Sequence, residues 1–149
     1  MNANDRERSA EGRISPPPYE NREISGAGRA FDYFYEVVSL LMGPNGCPWD
    51  REQTPLSMRK YILEEAYELI EAIENNDAVH MDEEMGDLYL VVSMLLRMRE
   101  LSDSERHRTA AAGVFELIAE KLIRRHPHVF SDAVADDAAG VKVQWDSIK

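Results

Sequence analysis

The constraint that most narrows the fold lies in Glu64–Asp87, "EEAYELIEAIENNDAVHMDEEMGD". Apolar residues recur through it at three- and four-residue intervals, while the positions between them are crowded with Asp and Glu. That period demands helices with a buried stripe, because helical residues step about 100° around the axis. Two helices must therefore share a core here, with a large negative charge at its edge. No β-alternation of any length and no internal repeat occurs elsewhere in the chain. The expected class is all-α: a helical bundle of about four main helices, completed by oligomerisation.

The elements follow from punctuation. Residues 1–26 are polar, contain Pro16-Pro17-Pro18 and show no periodicity, so they read as a flexible N-terminal extension before a domain over 27–149. "FDYFYEVVSLLM" puts Phe31, Phe34, Val38 and Leu41 on one face of a first helix. "GPNGCPWDREQTP" breaks it, and reads as an ordered loop. Thr54-Pro55 opens a second helix, a hydroxyl N-cap followed by proline at the first turn. Its stripe is Ile62, Ala66, Leu69, Ile70 and Ile73, and it closes near Asn75. A third helix is expected from an Asp82 cap to about Arg99, with Met85, Leu88, Tyr89, Val92, Leu95 and Leu96 as its stripe. A fourth ends near Arg125, where Pro127 stops it. The tail from Ser131 reads as mostly irregular, with a short terminal helix.

Composition sets limits on function. A formal net charge of −11 repels nucleic acid and anionic membrane, and also any phosphorylated substrate unless a metal reverses the local sign. No apolar run approaches the roughly 20 residues of a membrane span. The N-terminus carries no secretory signal and is too acidic for a transit peptide, so a cytoplasmic location is expected. Cys47, the single cysteine, excludes an internal disulfide framework and a cysteine-rich zinc site.

Glu65 and Glu68 lie three apart on the second helix, and Glu84 and Asp87 three apart on the third, so each pair shares a face. Where the two stripes pack, the four carboxylates converge. Two unit charges about 4 Å apart repel by about 4 kcal/mol at an effective dielectric of about 20. A hard divalent cation with oxygen ligands would offset this, and magnesium favours carboxylates plus substrate phosphates. The plain alternative is a solvated acidic face, which Glu64, Glu71, Glu74 and Glu83 suit.

"GCPWDREQT", "YILEEAYELIEAIE", "DEEMGDLYL" and "KLIRRHPHVF" occur in an order that resembles the MazG-like nucleoside triphosphate pyrophosphohydrolases, and "QWDSIK" resembles that family's C-terminal end. Glu64, Glu65, Glu68, Glu84 and Asp87 match its EExxE…ExxD pattern. The resemblance implies an all-α dimer or larger assembly. It implies Mg²⁺-dependent hydrolysis of (deoxy)nucleoside triphosphates to the monophosphate and pyrophosphate, with Mn²⁺ as a possible substitute. By motif position Glu65, Glu68, Glu84 and Asp87 are the metal ligands, and Glu65 is the group to take the proton of the attacking water. Pro55 departs from the histidine that many members carry after "QT", and Met85 and Tyr89 replace commoner leucines.

Three further residues enter as substrate-binding candidates. Lys121 and Arg125 share a helix face and would hold phosphates; as plain structure they would complement a helix C-terminus. Trp49 would stack on a base, plug a subunit interface or cap the core. His126 and His128 are expected to order the helix end, Trp145 to pack, and Cys47 to be a buried small residue. A di-iron carboxylate bundle would need Glu-x-x-His motifs, which the second and third helices lack. A non-catalytic helical interaction module is the competing reading.

Overall fold

Thr54 shows how directly local chemistry sets this structure. Its side-chain oxygen accepts from Ser57 N at 3.1 Å, and Ser57 Oγ accepts in return from Thr54 N at 2.9 Å. This reciprocal capping box, with Pro55 at the first turn, starts the long helix that carries half of the acidic pattern. The computed structural model describes residues 26–102, 110–135 and 137–148. The extension expected over residues 1–26 falls almost wholly outside these. Seven helices and no strand occur among the described residues, in two compact units that divide at Ser104.

The first unit holds α1 (Ala27–Leu41), α2 (Pro48–Glu52), α3 (Pro55–Glu74) and α4 (Ala78–Ser102). The loop after α1 is ordered, as expected, but it encloses α2. Cys47 N donates to Leu41 O at 2.7 Å, and Gly46 N to Gly43 O at 2.9 Å. A methyl group at Gly46 would overlap the Leu41 carbonyl, so the chain needs glycine there. Proline at its first position opens α2, and Trp49 turns its ring edge onto Tyr61 of α3 at 5.7 Å.

Between α3 and α4 lie only three residues. Asn76 takes a left-handed conformation (φ 53°), which asparagine tolerates better than most residues. Asp77 then caps α4, its Oδ1 accepting from Val79 N and His80 N at 3.1 Å each. The cap expected at Asp82 is therefore corrected: Asp82 lies inside α4, and the helix starts more than a turn earlier.

So short a connection folds α3 back along α4 as an antiparallel pair. Among the buried and half-buried positions are Met58, Ile62, Glu65, Leu69 and Ala72 on α3, and His80, Glu84, Val91, Met94 and Met98 on α4. With Asp87, these follow alternating steps of four and three, the spacing of a two-helix seam. Val38 of α1 and Met42, which caps its C-terminus, complete the core with Met58, Val91 and Met94, and Phe34, Tyr61, Ile62 and Leu90 pack around it. Met42, not Leu41, holds the last inward position of the first helix, since Leu41 is exposed. At the far end of α4, Arg97 Nη1 donates to Glu100 Oε2 at 2.9 Å. Burial first, and then the Glu100 carboxylate, holds the nearby Tyr35 phenol of α1 far above its ordinary range.

The expected stripes need a second correction. Ile70 and Ile73 of α3, and Met85, Tyr89 and Val92 of α4, are exposed. A helix in a two-helix seam can present one face to its partner, and these residues lie off that face.

The second unit holds α5 (Ala110–Arg125), α6 (Pro127–Phe130) and α7 (Ala138–Ile148). Pro127 follows the end of α5 as expected, and also opens α6. His126 Nδ1 lies 2.6 Å from Leu122 O, ordering the helix end. The tail is more helical than expected. Asp137 Oδ1 accepts from Gly140 N at 2.8 Å at the start of the eleven-residue α7. From α7, Gln144 Oε1 meets His128 Nδ1 at 2.8 Å, and the Trp145 ring packs on His126 at 5.2 Å.

The two aspartates predict different outcomes. Asp77→Ala removes a cap and should cost about 0.5–2 kcal/mol of stability, whereas Asp82→Ala, inside the helix and exposed, should change it by less than about 0.5 kcal/mol. Urea melts of the two variants check this.

Candidate metal centre

The seam that joins α3 and α4 is apolar at both ends and charged in its middle. Glu65, Glu84 and Asp87 occupy consecutive inward positions there, where the alternation of four and three would otherwise call for leucine. Each offers a carboxylate oxygen, and these oxygens lie within 4.8 Å of one another. They stand together because the three-residue turn fixes how α3 and α4 slide past each other. The Met58–Val91–Met94 packing then holds the far end.

Burial separates the members. Glu84 is only 4% exposed, which an acidic side chain almost never is unless paired. Its Oε1 lies 2.8 Å from His80 Nε2, and its Oε2 is buried without a hydrogen-bond partner. A buried acceptor left unmatched costs about 1–3 kcal/mol, more when charged. Glu65 is half-buried. Its carboxyl is pushed above the ordinary 4.5, first by loss of water and then by the charges of Asp87, Glu68 and Glu84. Glu68 is exposed, outside the close group of three, and the Glu84 charge is the main cause that raises its carboxyl.

Of the four expected ligands, three therefore converge and the fourth borders them. The donor set is oxygen alone, which suits a hard cation such as Mg²⁺ or Mn²⁺. The orphaned Oε2 of Glu84 is the observation that fits a metal best: it is a buried carboxylate oxygen with no hydrogen-bond donor on it.

Trp49 stands on α2 in the same unit, half-exposed, with its edge against Tyr61, and Lys60 Nζ lies 4.5 Å from the Tyr61 ring centroid. Lys121 and Arg125 belong to α5 in the other unit. Lys121 is exposed, and the Arg125 guanidinium lies 5.8 Å from the Trp145 ring centroid with its Nε buried and unpartnered. The structure adds one residue to the acidic group that sequence reasoning passed over. His80 precedes Glu84 by one turn, and the signal was its place on the same inward face. With the helix started at Asp82, that face ended before it.

Comparison with known proteins follows the same line. The model of the MazG nucleotide pyrophosphohydrolase domain matches residues 53–130, which include all four acids, Lys121 and Arg125. A Bacillus subtilis protein, uncharacterized protein YabN, is 44% identical over 119 residues, 80% of this chain and 24% of its own length. The Thermotoga maritima nucleoside triphosphate pyrophosphohydrolase/pyrophosphatase MazG is 40% identical over 123 residues, covering 83% of this chain and 45% of its own. The Escherichia coli K12 nucleoside triphosphate pyrophosphohydrolase is 38% identical over 119 residues, 79% and 44% respectively. The chain thus spans less than half the length of each of these relatives.

A charge-removing variant reads the repulsion directly. Ionising Glu65 opposes folding, because its folded value lies above the ordinary 4.5. The relative stabilisation of the protonated form is complete below that value and lost as pH rises. In EDTA at pH 7, Glu65→Gln should therefore melt higher than wild type, and the gain should shrink as pH falls toward 4.5. Added Mg²⁺ should raise the melting temperature of the variant less than that of wild type. Melts across pH, with and without metal, test both signs.

Proposed function

The chain belongs to the MazG nucleotide pyrophosphohydrolase domain family, and from that premise we propose that it hydrolyses (deoxy)nucleoside triphosphates to monophosphate and pyrophosphate. We assign it Mg²⁺ as the working metal, with Mn²⁺ able to substitute, and a house-cleaning role in the cytoplasmic nucleotide pool. The observation that carries the reading is the buried, unpartnered Oε2 of Glu84, whose carboxylate groups with those of Glu65 and Asp87. A non-catalytic helical module would gain nothing from that arrangement, since apolar residues at the same positions would pack without repulsion.

Glu65, Glu84 and Asp87, with Glu68 at the border, are the residues to hold the cation. When bound, it supplies positive charge that neutralises the triphosphate and polarises the phosphoryl group. Glu65 is the proposed catalytic base. A Glu65 oxygen left off the cation would hold the proton released as water attacks phosphorus. The phosphoanhydride bond breaks with its electron pair leaving on the pyrophosphate oxygen. Lys121 and Arg125 are assigned to the substrate's phosphates, and Trp49 to the base by stacking. Chemistry of this kind is mostly positioning and charge stabilisation.

The proposal includes a homo-oligomer, a dimer or a tetramer. Leu56, Leu63, Tyr67 and Ile70 form an exposed apolar strip along α3, and Met85, Tyr89 and Val92 another along α4. Large apolar strips of this kind mark contact surfaces, and a second copy supplies a matching face by symmetry. Neither nucleic acid nor membrane is a proposed partner. The net charge of −11 opposes both, and no described helix is long and apolar enough to cross a membrane.

Incubation with a dNTP mixture tests the activity. Equal amounts of monophosphate and pyrophosphate should appear with Mg²⁺ and cease in EDTA; orthophosphate as the product, or release indifferent to metal, would contradict it. Lys121→Ala should lower kcat/KM by about tenfold, the loss of one phosphate contact worth about 1.4 kcal/mol. Its melting temperature should stay close to that of wild type, because a cation at a helix end contributes only about 0.3–1 kcal/mol.

A further inference from the structure

Glu84 has two oxygens in different circumstances. His80 Nε2 sits 2.8 Å from Oε1, and Oε2 is buried with no hydrogen-bond partner. A carboxylate turns easily about its last torsion, whose energy profile is broad and roughly two-fold. With no fixed neighbour, Glu84 could exchange its oxygens or rotate both away from Glu65 and Asp87. We propose that His80 is a positioning residue for the metal centre: its Nε2–H bond to Oε1 fixes the Glu84 carboxylate and reserves the buried Oε2 as the ligating atom. This rests on the metal centre proposed above.

Three features support the assignment. His80 is itself held, because its backbone N–H donates to the Asp77 cap at 3.1 Å. The turn that starts α4 thereby sets where the imidazole stands. Its side chain lies one turn from Glu84, on the inward face. The imidazolium and the neutral tautomer protonated at Nε2 both donate this bond, so the role needs no change of protonation. An exposed helical pair at this spacing would contribute little and would reserve no atom. Here the acceptor is 4% exposed, and the donor occupies one oxygen only. Hydrogen bonds to ligating carboxylates commonly orient them, and their removal typically weakens metal binding by about 10- to 100-fold.

The test is Mn²⁺ binding, followed by the EPR signal of the free ion, alongside thermal melts in EDTA. His80→Met keeps side-chain bulk and helix propensity but removes the donor, and His80→Ala is a second donor-free variant should the first fold poorly. His80→Gln retains an N–H donor of similar reach. Both donor-free variants should bind Mn²⁺ at least about tenfold more weakly than wild type, and His80→Gln should recover most of that loss. A purely structural pair would instead shift the EDTA melts and leave Mn²⁺ affinity alone. Donor-free variants that bind as tightly as a metal-binding wild type, or a glutamine variant as weak as alanine, would overturn the role of His80 only. A wild type that takes up no Mn²⁺ would overturn the metal centre as well.

Discussion

The mutual repulsion of Glu65, Glu84 and Asp87 inside the α3–α4 seam is the constraint around which the first unit is organised. Three carboxylate oxygens within 4.8 Å would separate if either helix could rotate or slide. Neither is free to do so. On one side of the acids the three-residue turn, with the Asn76 and Asp77 geometry, sets the register. On the other, Met58, Val91 and Met94 pack into the core shared with α1. Apolar burial of about 25 cal/mol per Å² at the Met58 end, with the short turn at the other, holds the charged middle together. The aromatic and apolar residues of α1 therefore help hold the acidic group in register through the core they share with α3 and α4.

Under the proposed metal binding, a site assembled this way would be less stable empty than full. Any species that binds only the folded state adds RT ln(1 + [L]/Kd) to stability, and a divalent cation here also removes the repulsion. Protons can do part of the same work: burial first and then the neighbouring charges raise the Glu65 carboxyl, and the Glu84 charge first raises that of Glu68. Stability, proton affinity and the proposed metal binding thus draw on the same charge arrangement.

Much of this was legible in the sequence, for reasons that differ from element to element. Thr54-Pro55 and the glycine- and proline-rich loop act locally, so the start of α3 was readable from a few residues. The acidic pairs were readable because their spacing is helical. Inward facing was less so: Ile70, Ile73, Met85, Tyr89 and Val92 are apolar enough for a core, but only the pairing of α3 with α4 decides which stripe is used. Asp82 and Asp77 are both acceptable caps by type, and the left-handed Asn76, which selects Asp77, is a property of the folded turn. His80 was missed as a consequence, since a helix begun at Asp82 leaves it in a loop. The extent of α7 was missed because its helical propensity is weak and its packing residues, Gln144 and Trp145, find partners sixteen or more positions away.

A crystal structure grown with Mn²⁺ and recorded at the manganese absorption edge addresses the central interaction most directly. Anomalous density should lie among Glu65, Glu84 and Asp87, with Glu84 bound through Oε2 and its Oε1 still on His80. Density absent from this seam, or carboxylates turned apart toward solvent with the ion elsewhere, would contradict a metal centre there.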